Sequence, residues 1–109
     1  MPKISVIIKH PGQKPYHTNI SDTLENLQKT VGGYIETVTI ATDAALICNE
    51  EGRLRGLPYN FSFGTVDFVG TVIFAGVNGD EFADFPLSFQ EFKQTFPALF
   101  EDTHGGDVT

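Results

Sequence analysis

The side chains best suited to chemistry lie in residues 49–60, where two adjacent carboxylates and two arginines are flanked by asparagines. Carboxylates beside guanidinium groups can hold a polar ligand such as a nucleotide, or engage a partner protein. The same residues fit a solvated turn with both arginines on the water-facing side of one strand, and this interpretation is favoured. The ligand-binding candidates are Asn49, Glu50, Glu51, Arg53, Arg55 and Asn60.

A second group of candidates is acidic and lies towards the C-terminus. The chain has a formal net charge of −7, and residues 1–55 balance six acids with six bases. Residues 56–109 carry eight acids and only Lys93. Carboxylates on a compact surface can occupy a basic channel by competing for its Lys and Arg side chains, although a similar charge also serves solubility. The predicted partner-binding residues are Asp80, Glu81, Asp84, Glu91, Glu101 and Asp102.

Nucleophiles and metal ligands are sparse. Cys48, the single cysteine, lies in an apolar run and fits a small buried hydrophobe better than a nucleophile. His10, His17 and His104 show no metal-ligand spacing, although His10 and His17 flank one predicted hairpin. We therefore expect no catalytic residues, no metal and no cofactor, and the chain is not predicted to be an enzyme.

Composition excludes several further classes. Nucleic-acid binding and membrane-surface binding both need clustered Lys and Arg, which an acidic chain with seven bases does not offer. One cysteine cannot form an internal disulfide, and residues 1–10 do not resemble a secretory signal. These features predict a reduced, cytoplasmic protein.

The elements that must position these groups follow from hydrophobic periodicity. Residues 3–9 and 16–20 predict a hairpin, and a helix capped by Ser21 or Asp22 ends at Gly32. Residues 34–42 and 44–49 predict two strands, and Glu50-Glu51-Gly52 predicts a hairpin turn into a further strand at residues 53–55. Residues 61–63 fit a short extended piece.

The C-terminal half has the stronger signals. Residues 66–77 predict one long strand, with possible bulges at Gly70 and Gly76, and Asn78-Gly79 predicts a two-residue turn with positive φ at both positions. Ser88 and Glu91 form a capping box for a last helix, which Pro97 must kink or restart. The predicted fold is α+β with a mainly antiparallel sheet and two helices, in the order β-β-α-β-β-β-β-α. We expect residues 1–101 to form one domain and residues 102–109 to form a flexible tail.

All ten phenylalanines lie between Phe61 and Phe100. Five of them recur at helical spacing, and the favoured interpretation is that they close the core over the sheet. The alternative is an exposed apolar patch rimmed by acids, which would serve as a homodimer contact or another interaction surface. The five are Phe82, Phe85, Phe89, Phe92 and Phe96.

Two long motifs and one strand are familiar together. V-G-G-Y-I-E occupies residues 31–36, C-N-E-E-G-R-L-R-G-L-P occupies residues 48–58 and is followed by Asn60, and the hydrophobic strand surrounds Gly70. Roughly residues 1–77 resemble an uncharacterised family of small domains found in phages, plasmids and conjugative elements of bacteria. Arg53 stands where that family usually has lysine. The resemblance implies a mobile-element origin and an intracellular setting, and it brings no established catalytic residues.

The sequence therefore predicts a non-enzymatic domain that binds a host or phage protein, as a nucleic-acid mimic or protein inhibitor of a host defence system. Small-ligand binding or nucleotide sequestration at residues 49–60 is the alternative. An enzyme whose groups are brought together only by folding is a further one.

Overall fold

The computed structural model describes residues 2–101. It confirms the predicted α+β class, with two α-helices and mostly antiparallel strands. Asp102 and the predicted tail at residues 102–109 lie outside the described residues. The strands are β1 (Lys3–Lys9), β2 (Tyr16–Ser21), β3 (Ile35–Ala41), β4 (Ala44–Asn49), β5 (Tyr59–Phe63), β6 (Val66–Val69), β7 (Val72–Asn78) and β8 (Glu81–Ala83). The helices are α1 (Leu24–Val31), α2 (Phe89–Thr95) and a 3₁₀ turn at Pro97–Phe100.

A six-stranded antiparallel sheet organises the domain. Its strand order is β2-β1-β7-β4-β3, and β8 pairs with the C-terminal part of β7. Strands β5 and β6 form a separate two-stranded hairpin. The central strand β7 is buried from Val72 to Gly76, as expected for a strand covered on both faces.

Each face of the sheet carries its own core. Helix α1 covers one face by burying Leu27 and Val31 against β1, β4 and β7. The β5–β6 hairpin, α2 and the 3₁₀ turn cover the other face. Phe74 of β7 lies at the centre of that second core, with ring centroids 4.9 Å from Phe92 and 5.7 Å from Phe61.

The phenylalanines belong to the interior, as the favoured interpretation held. Phe85 and Phe92 are buried, while Phe89 and Phe96 are half-buried and pack against the same core. Phe82 packs against the core on the opposite face. The alternative of an exposed phenylalanine patch is wrong for the described residues, because rings of this stripe pack edge-to-face within the core, as Phe92 does against Phe74 and Phe85. A homodimer through this segment stays a prediction.

The predicted long strand at residues 66–77 is wrong in one respect, because it is divided at Gly70. This glycine has a φ of +74°, and the chain leaves the small hairpin there and enters the main sheet as β7. A Cβ atom at Gly70 would lie 2.8 Å from Leu57 Cδ1, which is the end of a flexible side chain, so the positive φ is the main reason for glycine here. Gly76 is not a bulge but pairs regularly with Ala44 and Ala83.

The predicted strand at residues 53–55 is also wrong. Residues 50–56 form consecutive turns, closed by bonds such as Arg55 N–H to the Glu51 carbonyl at 2.9 Å. Arg53 and Arg55 therefore do not lie on the same side of one strand as predicted, and each bonds a different neighbouring segment. Local turn bonds satisfy the backbone groups of this segment in place of a strand ladder.

The start and end of α2 agree with the sequence prediction, whereas the cap of α1 and the β7–β8 turn differ from it. Ser88 and Glu91 form the capping box, and α2 stops before Pro97, which starts the 3₁₀ turn. Helix α1, however, is capped by Thr23, whose Oγ1 accepts from the Asn26 N–H at 3.1 Å, and not by Ser21 or Asp22. The β7–β8 hairpin turns through Gly79 and Asp80, and positive φ occurs at Gly79 but not at Asn78, unlike the predicted turn.

Asn60 fastens the small hairpin to the main sheet. Its Nδ2 donates to the carbonyls of Lys9 and Gly70 at 2.8 and 2.7 Å, and its Oδ1 accepts from Lys9 Nζ at 3.0 Å. Both side chains are buried, Asn60 at 4% exposure and Lys9 at 0%. Burial lowers the pKa of Lys9 from its usual value, because a charged amine loses hydration there.

We predict that Asn60→Ala lowers the free energy of unfolding by about 3 kcal/mol, because it leaves a buried amine and two carbonyls without their partner. Urea denaturation followed by circular dichroism measures this change. Ser62→Ala is the matched control in the same strand, since its exposed hydroxyl makes only surface bonds. Equal stability of Asn60→Ala and the wild type would contradict this role.

Candidate functional site

Residues 49–60 act first as a connector among three elements. Asn49 ends β4, and its Nδ2 donates to the Val31 carbonyl at the end of α1 at 3.2 Å. Its Oδ1 accepts from the Glu51 N–H at 2.8 Å, which starts the turn. The asparagine therefore holds the helix end, the strand end and the turn together.

The two arginines are also used within the fold. Arg55 Nη1 donates to the Gly32 carbonyl at 2.9 Å, which satisfies another carbonyl just beyond α1. Arg53 Nη2 donates to the Asp67 carbonyl at 2.7 Å and so joins the turn to β6. Each guanidinium keeps further N–H groups, but the two arginines hold opposite sides of the turn and do not form one ligand clamp.

A cavity of about 250 Å³ lies between β3, the turn after β4, and β6. Of the six predicted ligand residues, Asn49, Glu50 and Arg53 line it, whereas Glu51, Arg55 and Asn60 do not. Sequence reasoning missed its other polar lining residues, Glu36 and Asp67, because they come from strands far away in the chain. The remaining lining residues are Val38, Cys48, Gly52, Leu54, Val66, Phe68 and Val69.

Cys48 lies at this cavity but is poorly suited to be a nucleophile. Burial raises the pKa of its thiol to about 11, and the negative charge of Glu36 adds to the shift. The thiol is therefore protonated at neutral pH, and a thiol attacks poorly compared with a thiolate. The prediction of a small buried hydrophobe at this position agrees with its 7% exposure.

The predicted acidic residues are spread over several elements. Asp80 and Glu81 lie exposed at the β7–β8 turn. Asp84 Oδ1 accepts from the Ser5 N–H at 2.7 Å, and Glu91 Oε1 accepts from the Ser88 N–H at 2.8 Å. Glu101 is exposed after the 3₁₀ turn. Asp84 and Glu91 thus have hydrogen bonds that support the fold. Of the five predicted acidic residues that the structure describes, Asp80 and Glu81 are adjacent in the chain and both exposed.

One polar cluster was not predicted at all. Ser5 Oγ and His17 Nε2 are hydrogen-bonded across the β1–β2 ladder, beside Asp84, in a shallow groove of about 420 Å³. A serine with a histidine neighbour is the start of a nucleophile–base arrangement. Here the carboxylate of Asp84 accepts from the Ser5 backbone N–H at 2.7 Å and thereby joins the groove to β1. The sequence signal was their diagonal placement across a hairpin, which requires the exact register.

The other described histidine is engaged separately. His10 Nδ1 is 2.8 Å from Thr71 Oγ1, and its Nε2 is 3.0 Å from the Tyr16 hydroxyl. Within residues 2–101, no three His, Cys, Asp or Glu side chains form a group that could hold a metal ion. None of the helices in that range combines the length and apolar character needed to cross a membrane.

These features define a small α+β domain in which a six-stranded antiparallel sheet has α1 on one face and a hairpin with α2 on the other. The family described as Domain of unknown function (DUF3846) matches residues 4–97, and the chain belongs to this family. No curated protein and no solved structure matches the chain.

We predict that the Cys48 thiol titrates near pH 11, and that Glu36→Gln moves this midpoint to lower pH by removing the nearby negative charge. Because folding raises this pKa, its contribution to stability is complete below the unfolded value of about 8.5 and is lost as pH rises through 11. The Cys48 ¹³Cβ chemical shift measures the midpoint. Glu25→Gln, which removes an exposed acid on α1, is the control, and a wild-type midpoint below 9 would contradict the burial argument.

Proposed function

We propose that this domain is a non-enzymatic binding protein that acts on a basic surface of another protein. The observation that carries the proposal is the placement of charge. None of the twelve acids within residues 2–101 is buried, and eleven of them are exposed. Of the seven bases, Lys9 is fully buried, whereas Arg53 and Arg55 stay exposed and keep their charge although each donates to a backbone carbonyl. Burial of Lys9 therefore leaves a surface slightly more negative than the sequence total suggests.

An acidic surface of this kind suits a competitor of nucleic acid. Exposed carboxylates attract the Lys and Arg side chains that line a nucleic-acid channel, and they accelerate association at low ionic strength. Together with the resemblance to domains of phages, plasmids and conjugative elements, this charge supports an inhibitor of a host defence nuclease. Asp80 and Glu81 are its best candidates, because they lie exposed at a hairpin turn.

Small-ligand binding is the second candidate function, and the cavity of about 250 Å³ is the observation in its favour. Its arginine is already bonded to the Asp67 carbonyl, and three carboxylates line the cavity with it. A site with that balance repels the phosphates of a nucleotide. A nucleotide panel that leaves the melting temperature unchanged would set this function aside, since a ligand of the native state must raise it.

We predict that the wild-type domain displaces DNA from a defence nuclease captured from the host, and that the effect weakens at high salt. Replacing both Asp80 and Glu81 by their amides is expected to weaken binding about tenfold, which corresponds to a loss of roughly 1.4 kcal/mol in binding free energy. Electrophoretic mobility of the nuclease–DNA complex measures the competition.

The control replaces Asp22 and Glu25, near the start of α1, by their amides, which removes the same number of charges. Equal weakening by the two double variants would mean that net charge alone acts. If the domain captures no host protein even at low salt, that result would contradict the proposed function.

A further inference from the structure

Strand β3 leaves one side of the main sheet open. It is the last strand in the order β2-β1-β7-β4-β3 and pairs only with β4 within the described chain. Its seven residues, IETVTIA, are rich in β-branched side chains and contain no proline or lysine. Natural edge strands often carry proline, lysine or a β-bulge to prevent pairing with another chain. In β3 the register shifts between Thr39 and Ala41, so the regular part from Ile35 to Thr39 is the part suited to accept a further strand.

The hydrogen-bond ladder shows which backbone groups point to the open side. The Glu50 N–H donates to the Tyr34 carbonyl at 2.8 Å, just before β3 begins. Antiparallel ladders alternate bonded and non-bonded pairs, so Glu36 and Val38 bond towards β4. The N–H and C=O groups of Thr37 and Thr39 consequently face outwards, where an added strand would bond them.

Two cavities open along one face of this edge. Glu36 and Val38 line the cavity of about 250 Å³ described above, and Ile40 lines another of about 240 Å³. Glu36 and Val38 line the same cavity, and Val38 and Ile40 pack against the same core, so the three lie on one face of β3 despite the register shift between Thr39 and Ala41. Four residues of a regular strand span about 13 Å. An extended partner with the same repeat would place its residues i and i+4 at the two cavities.

The two cavities differ in chemistry. The first is lined by the carboxylates of Glu36, Glu50 and Asp67 against the single cation of Arg53, which donates to the Asp67 carbonyl. The second is mainly apolar. Its lining residues are Ile40, Ala41, Asp43, Ala44, Phe63, Phe85, Pro86, Leu87, Thr95 and Phe96.

We propose that β3 binds an extended segment of a partner protein by strand addition, with a basic side chain at the acidic cavity and an apolar side chain four residues away at the apolar cavity. This inference rests on the proposed function and specifies how the partner is held. Main-chain bonds to Thr37 and Thr39 supply affinity, and the two cavities supply specificity. Exposed Leu54, at 90% exposure, lies at the rim of the first cavity and offers further apolar contact.

A second copy of this chain is the competing occupant, since edge strands can also pair with themselves. The charges oppose it, because each copy has a net charge of −7 and would bring Glu36, Glu50 and Asp67 near the same acids of its partner. A basic segment removes that repulsion. Sedimentation of the free protein tests the point, and a dimer abolished by Thr37→Pro would overturn the proposal.

The probe is a capped peptide, Leu-Thr-Ser-Thr-Arg-Thr-Ser-Thr-Leu, which offers the basic and apolar residues four apart in both chain directions. A matched peptide has its arginine moved by one position, which turns that side chain to the opposite face. In ¹H–¹⁵N spectra we expect the first peptide to shift the β3 amides most and to slow hydrogen exchange at Thr37. Shifts of equal size with both peptides would contradict the two-cavity arrangement.

Two variants complete the test. Thr37→Pro removes an outward N–H without breaking a bond to β4, so the fold is retained and peptide binding falls at least about tenfold. Glu36→Lys, at an exposed position, opposes the basic residue and should weaken binding similarly. Melting curves of both variants establish that they are folded. Unchanged peptide affinity in both would overturn the proposal.

The same variants separate this inference from the function on which it rests. A nuclease that still binds Thr37→Pro and Glu36→Lys, but not the Asp80 and Glu81 double variant, would leave the proposed function intact and remove β3 as the docking edge. If Thr37→Pro loses binding to both the nuclease and the peptide, the proposed function and docking at β3 are both supported.

Discussion

The side chain of Asn60 joins the β5–β6 hairpin to the main sheet. The packing on the sheet face covered by this hairpin and α2 depends on that connection. One amide meets two backbone carbonyls and the amine of Lys9, all in a buried setting. Buried donors and acceptors left without partners are costly, so this arrangement strongly favours one placement of the β5–β6 hairpin. Phe61 and Phe68 of that hairpin are then held over Phe74, and the aromatic core on this face assembles around them.

The segment from Cys48 to Asn60 thereby has a structural explanation along most of its length. Asn49 and Arg55 complete the hydrogen bonding at the end of α1, and Arg53 ties the turn to β6. The polar residues of this segment therefore serve mainly to connect neighbouring elements of the fold through hydrogen bonds. What they build is the wall of a cavity whose remaining acids, Glu36 and Asp67, come from β3 and β6.

Charge and topology act together at the β3 edge. Burying Lys9 removes one of the seven bases from the surface, whereas none of the acids within residues 2–101 is buried. The same fold leaves β3 as a terminal strand, with an acidic and an apolar cavity on one face. The thiol of Cys48 at the acidic cavity is held protonated at neutral pH by burial and by the negative charge of Glu36.

Local signals in the sequence determined the α+β class, both helices, most strands, the Ser88–Glu91 capping box and the interior position of the phenylalanines, because these follow from residue spacing over a few turns or strand repeats. Other features depended on tertiary contacts. The long strand is divided at Gly70, where the positive φ takes the chain from the β5–β6 hairpin into the main sheet, and residues 50–56 form turns in place of the predicted strand. Strand order and register bring Glu36 and Asp67 to one cavity and pair Ser5 with His17. No short stretch of sequence encodes that arrangement.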